Sequence, residues 1–167
     1  MSNPDVLRAI PHRPPFLFVD RIVEQGEARL VTERTFRADE AFFAGHYPGS
    51  PLTPGVLLCE ACFQTGAILL MAQGAPRGSA GAGERMNVDT APAPGLPAGA
   101  HGVQPIPMLT RIQDAKFKNQ VLPGETCRVE VTLDEKMGNA YLMTGKVTSG
   151  VRKVLTVQFI VAMIEKP

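Results

Sequence analysis

Val56-Leu-Leu-Cys-Glu-Ala-Cys-Phe-Gln-Thr-Gly-Ala-Ile-Leu-Leu-Met-Ala-Gln73 is the stretch that decides the fold. It contains no proline and one glycine, Gly66. Its length suits about five helical turns. Thr53-Pro54-Gly55 precedes it, which supplies a capping residue and a proline near the first turn. Nearly every position is apolar, and a helix apolar on all sides is buried on all sides. A membrane span is the rival by length. Glu60, Gln64 and Thr65 interrupt the run and no basic residues flank it, so a span is not expected.

A helix of this kind needs cover from several directions, and the flanking sequence supplies strands. Leu17 to Val23 and Ala28 to Phe36 read as two strands joined at Gln25-Gly-Glu27. Residues 37 to 55 are loop-like, punctuated by Gly45, Pro48, Gly49, Pro51, Pro54 and Gly55. Beyond the helix, Met108–Phe117, Thr126–Leu133, Ala140–Thr148 and Val154–Ile164 alternate or are rich in β-branched residues. Val121-Leu-Pro-Gly-Glu125, Met137-Gly-Asn139 and Ser149-Gly150 supply the turns. Two strands, one buried helix and four strands with short turns predict an antiparallel sheet curved around the helix, an α+β fold. Asp5 to Ile10 predicts a helical turn that ends at Pro11.

The chain of 167 residues is read as one domain, with an insert at about 74–107 in which 20 of 34 residues are Gly, Ala or Pro. The insert lacks the Gly-Lys-Ser/Thr ending of a phosphate-binding loop. Seventeen basic against sixteen acidic residues leave a net charge of +1, which disfavours nucleic acid as a partner. Three cysteines make no disulfide framework, and the first residues show no basic-then-apolar leader. The expected compartment is the cytoplasm.

Glu60 is the first anomaly, because an unpaired carboxylate is costly to bury. Gln64 lies one turn later on the same face. Three readings stand for Glu60: a proton donor, an acid at the one exposed edge of the helix, or an acid tied into a fold-specifying hydrogen bond. His46 sits in Phe43-Ala-Gly-His-Tyr-Pro-Gly49, a loop dense in turn formers, where a histidine can act as a base or simply face water. His12 and His101 read as structural or solvated. Cys59 and Cys62 have the spacing of a redox pair but lie within the apolar helix, so they read as small core residues. No metal-binding motif is present. Pro54-Gly55-Val56 opens the helix, where free N–H groups can polarise a carbonyl and Gly55 permits close approach.

Taken together these segments resemble the 3-hydroxyacyl-acyl carrier protein dehydratases of the FabZ type. Pro11-His-Arg-Pro-Pro-Phe-Leu-Phe-Val-Asp-Arg21 resembles the opening signature, and residues 43 to 64 resemble the active-site block with its His-x-Pro-Gly…Pro-Gly-x-x-x-x-Glu-x-x-x-Gln spacing. Lys116-Phe-Lys-Asn-Gln-Val-Leu-Pro-Gly-Glu125 resembles a later block. The resemblance implies the hotdog fold and a homodimer with two active sites at its interface, His46 and Glu60 coming from different subunits. Members also assemble as trimers of dimers. It implies dehydration of a (3R)-3-hydroxyacyl thioester carried on acyl carrier protein, to the trans-2-enoyl product, in fatty acid synthesis.

In that reading the N–H of Gly55 or Val56 binds the thioester oxygen and His46 takes the C2 proton. Glu60 assists departure of the hydroxyl, with Gln64 orienting it and Tyr47 supporting the site. His46 performing both transfers is the alternative. No cofactor or metal is required. Phe16, Leu17, Phe43, Phe63 and Phe117 are candidates to line an acyl tunnel, and Arg111, Lys116 and Lys118 to contact the acidic carrier protein. The resemblance also suggests a strained His46–Tyr47 peptide, a cis bond being one form of that strain. Pro14, Tyr47 and the long insert depart from the family's usual pattern. Rival functions are a hotdog thioesterase, a dehydratase/isomerase (which usually carries Asp at the position of Glu60) and a non-catalytic acyl-binding module.

Overall fold

The computed structural model describes residues 4–73 and 105–164. His101, and the insert apart from its last three residues, lie outside the described residues. The elements in chain order are α1 (Pro4–Ala9), β1 (Arg21–Gln25), β2 (Arg29–Thr35), α2 (Phe42–Gly45), α3 (Gly55–Ala72), β3 (Ile106–Phe117), β4 (Thr126–Met137), β5 (Ala140–Ser149) and β6 (Arg152–Ile164). The six strands form one sheet in the order β1-β2-β4-β5-β6-β3, and every pairing is antiparallel. The sheet packs on α3, the arrangement of a hotdog fold.

α3 forms where the sequence places it because its apolar positions find cover around most of its circumference. Leu58, Cys59, Ala61, Cys62 and the run from Gln64 to Leu70 are buried. Its length and composition suit a membrane crossing, yet 67% of it is buried inside the protein, which makes it a core helix. The sheet answers with Leu30, Val129, Val131, Met143, Val147, Val157 and Phe159, all nearly inaccessible. Gly66 and Gly145 let the layers close: a Cβ on Gly145 would lie 2.8 Å from Cys62, and one on Gly66 would lie 3.1 Å from Met143 and Phe159.

Thr65 and Arg34, polar residues inside this layer, have partners, although Arg34 Nε and Thr53 Oγ1 have none among the described residues. Thr65 donates to the Ala61 carbonyl at 2.8 Å and therefore accepts from Thr32, also at 2.8 Å. Arg34, almost wholly buried, pairs with Asp20 at 3.0 Å and with Glu40, and its guanidinium lies over Phe18 and Phe36.

The first strand differs from the sequence reading. It runs from Arg21 to Gln25, not from Leu17. Leu17, Phe18 and Val19 are buried, but the Phe18 N–H donates to the side chain of Gln64 on α3 and not to a neighbouring strand. The expected loop at 37–55 contains the short helix α2. β3 opens at Ile106, two residues before the expected Met108. β4 continues to Met137, where Gly138, at φ 64°, turns the chain into β5.

Candidate active site

α2 ends at His46, whose N–H donates to the Phe42 carbonyl at 3.0 Å. The extended backbone of His46 turns the ring toward the following loop, where Nδ1 meets the Leu52 carbonyl at 2.8 Å. A carbonyl only accepts, so Nδ1 carries a proton, and in the neutral ring Nε2 keeps its lone pair. That is the tautomer of a base. The Tyr47 ring stands edge-on to His46 at 4.7 Å. The strain expected at His46–Tyr47 takes the form of a left-handed Tyr47, at φ 57°. Among the described residues the cis bond is Pro14–Pro15, which corrects the cis expectation at His46–Tyr47.

Glu60 and Gln64 face the loop that precedes β1. Gln64 is buried and makes three hydrogen bonds. Its Oε1 accepts from Phe18 N–H at 2.8 Å, and its Nε2 donates to the Phe16 carbonyl at 3.1 Å and to Glu60 Oε1 at 2.9 Å. The amide can face only one way, because the backbone N–H can only donate. Glu60 is partly exposed and looks into a cleft of about 330 Å³, lined also by His12, Phe63, Gln64, Met108 and Leu109. His12 Nε2 lies 3.9 Å from Glu60 Oε1.

His46 does not line this cleft, and no hydrogen bond or ion pair joins it to Glu60 among the described residues. One chain thus brings together Glu60, Gln64, His12 and Phe63 and leaves His46 apart. Gly55 and Val56 open α3, and among the described residues their N–H groups have no partner; the first bonds into the helix come from Leu57 and Leu58 to Pro54. Phe117 packs on Gly55 so closely that a Cβ there would lie 2.8 Å from its ring.

The other aromatic and apolar candidates scatter. Leu17 and Phe43 belong to the core, and Phe16 stacks on His12 and stands edge-on to Phe18. Arg111, Lys116 and Lys118 are exposed on or just beyond β3, with Lys116 paired to Asp114 at 2.7 Å. A larger groove of about 920 Å³ runs past Leu17, Asp20, Arg34 and Glu40, but the charges in it already pair with one another.

The three thiols are free and buried. Burial, with the nearby Glu60 charge, raises the Cys59 thiol to about 11; burial raises Cys127 to about 12 and Cys62 well above the usual range. Cys59 and Cys62 are inert core residues, as their place on the helix predicts. The structure also brings His12, read from the sequence as structural or solvated, to the cleft beside Glu60. Nothing local in Pro11-His12-Arg13 encodes that proximity.

Residues 10–92 match the family model of a FabA-like domain. The 3-hydroxyacyl-[acyl-carrier-protein] dehydratase FabZ of Herpetosiphon aurantiacus is 37% identical over 132 residues, 78% of this chain and 75% of that protein. The protein of the same name from Chloroflexus aggregans is 37% identical over 135 residues, 80% of this chain and 76% of that one. Among solved structures, the dehydratase heterocomplex ApeI:P from Xenorhabdus doucetiae is similar with a TM-score of 0.68 at 13% identity, covering 96% of this chain and 91% of that chain. At so low an identity that likeness concerns the fold alone.

Proposed function

The chain belongs to the FabZ-type 3-hydroxyacyl-acyl carrier protein dehydratases and catalyses the dehydration of a 3-hydroxyacyl thioester; from that premise we propose that His46 of one subunit and Glu60 of its partner carry the reaction at a dimer interface. The observation that carries the assignment is the His46 tautomer. Its Nδ1–H is committed to Leu52, so Nε2 is left to take a proton. Glu60, held through Oε1 by Gln64, is the complementary acid.

The chemistry follows from these two groups. The C2 proton of a thioester is weakly acidic and hydroxide is a poor leaving group. The N–H of Gly55 or Val56 donates to the thioester oxygen and stabilises the negative charge that develops there. His46 Nε2 removes the C2 proton, the C2–C3 double bond forms, and the C3–O bond breaks as Glu60 protonates the oxygen. Water and the trans-2-enoyl thioester leave, and the proton on His46 returns to Glu60 through solvent.

The separation of His46 from the Glu60 cleft within one chain supports a dimeric site. So does β3, an edge strand that presents Ile106, Met108, Leu109 and Ile112 to solvent. An apolar edge of this kind calls for a second copy to cover it. In this reading Phe63 and Phe117 border the acyl chain, and Arg111, Lys116 and Lys118 receive an acidic carrier protein. Assembly as a trimer of dimers and a cytoplasmic setting, consistent with three reduced thiols, complete it.

The test follows enoyl-thioester absorbance from a 3-hydroxyacyl-carrier protein. His46→Ala and Glu60→Gln each lose activity by about 10²-fold or more. Refolded together, the two inactive variants recover roughly a quarter of the sites, since each mixed dimer keeps one intact pair. No recovery on mixing would place both groups in one subunit. Release of free thiol without enoyl product would indicate thioester hydrolysis instead.

A further inference from the structure

We propose that His12 is a positioning residue for Glu60 and that, with Gln64, it decides which carboxyl oxygen carries the proton. The inference rests on the reading of Glu60 as the acid and extends it to a residue that reading does not use.

The loop that carries His12 is held from both ends. Arg13 donates to the carbonyls of Leu7, Ile10 and His12 at 3.0, 2.9 and 2.7 Å, which ties the loop to the end of α1. Gln64 ties it to α3 at Phe16 and Phe18. The His12 ring rests on Phe16, with centroids 6.5 Å apart. This places Nε2 at 3.9 Å from Glu60 Oε1, beyond a direct hydrogen bond and within reach after a shift of under an ångström or through one water.

The tautomer follows from the other nitrogen. Nδ1 is buried and has no hydrogen-bond partner. A proton there would be a buried donor without an acceptor, a costlier defect than an unused lone pair. The proton therefore resides on Nε2, directed at Glu60. Gln64 Nε2 is also a donor, fixed as such by Phe18 N–H, and it points at the same atom. Two donors converge on Oε1, so a proton on Glu60 belongs on Oε2, which has no partner among the described residues. His12 and Gln64 thus present the acid with its proton on the unencumbered oxygen.

Imidazole ¹⁵N spectra of the full-length protein test this directly, with His12 identified by its loss in His12→Phe. We expect the Nε2–H tautomer for His12, and a shift of its Nε2 signal in Glu60→Gln. His12→Phe keeps the ring against Phe16 and lowers kcat by roughly tenfold with KM little changed, and His12→Gln, whose amide N–H reaches the same place, restores most of it. An Nδ1–H tautomer, or a His12 signal indifferent to Glu60→Gln, overturns the proposal even if Glu60→Gln is inactive. Retained activity in Glu60→Gln overturns the acid role, and the positioning role falls with it.

Discussion

Replacing Gln64 by Leu tests whether the link between α3 and the segment ahead of β1 is energetic or incidental. The two side chains have similar volume, so little cavity is created. What is lost is three hydrogen bonds. The Phe18 N–H sits in a residue 2% exposed, next to a glutamine 1% exposed, so water cannot replace its acceptor. An orphaned buried donor costs about 1–3 kcal/mol. The Phe16 carbonyl and Glu60 are partly exposed and recover water, so each adds about 0.5 kcal/mol. The sum is about 2–4 kcal/mol, tolerable against a typical stability of about 5–15 kcal/mol. For a chain of this size it lowers Tm by roughly 5–12 °C. Urea unfolding at fixed protein concentration, monitored beside kcat, reads both consequences, because Glu60 loses its holder along with the loop. A loss below about 0.5 kcal/mol would refute the reasoning, since it would mean that Phe18 N–H finds another acceptor at no cost.

Two further outcomes follow from contacts of opposite character. In Gly145→Ala the new Cβ falls 2.8 Å from both Cβ and Sγ of Cys62, deep in the core, and overpacking should cost about 1–3 kcal/mol in urea unfolding. In Gly55→Ala the same 2.8 Å approach is to the ring of Phe117, which is half exposed and can swing away, so stability should change by under about 1 kcal/mol while KM for an acyl substrate rises. The thiols give a pH dependence. Cys59 and Cys127 ionise at about 11 and about 12 in the folded chain, above the ordinary thiol, so the folded state retains protons that the unfolded chain releases. Their contribution is intact below about pH 9 and is lost as pH rises toward 11–12, and Cys127→Ala should make that decline shallower in equilibrium unfolding. An unchanged slope would show that the thiol does not titrate differently in the two states.

The succession of strands along the chain and the central helix were legible because periodicity reports burial. Val129 and Val131, or Val157, Phe159 and Val161, alternate inward along their strands. The start of β1 was not legible. Leu17, Phe18 and Val19 have the composition of a strand, but their burial comes from docking on α3, and composition does not distinguish a hydrogen bond to a side chain from one to a neighbouring strand. At the site, His46 and Glu60 stood out by residue type and by motif. His12 did not, because its significance is a through-space distance between a Pro-flanked loop and a helix far away in sequence. The exposed apolar residues of β3 were equally hidden, since a strand-like pattern does not tell whether the strand's edge has a neighbour.

The polar residues that interrupt α3 explain more than the apolar ones. An all-apolar helix would bind the inner face of a curved sheet without a preferred rotation. Thr65 breaks that degeneracy on the sheet side, because its hydroxyl meets Thr32 of β2 with no exposure at either residue. Gln64, one position earlier and about 100° around the helix, breaks it on the other side by meeting the Phe16–Phe18 backbone. The two fix the helix about its axis, and Glu60, one turn before Gln64, is thereby set at the edge of the cover, where a carboxyl group remains accessible. Moving Glu60 by one position would turn it by about 100° into sheet or loop. The features that argue against a membrane span in the sequence are therefore those that aim the acid in the folded protein.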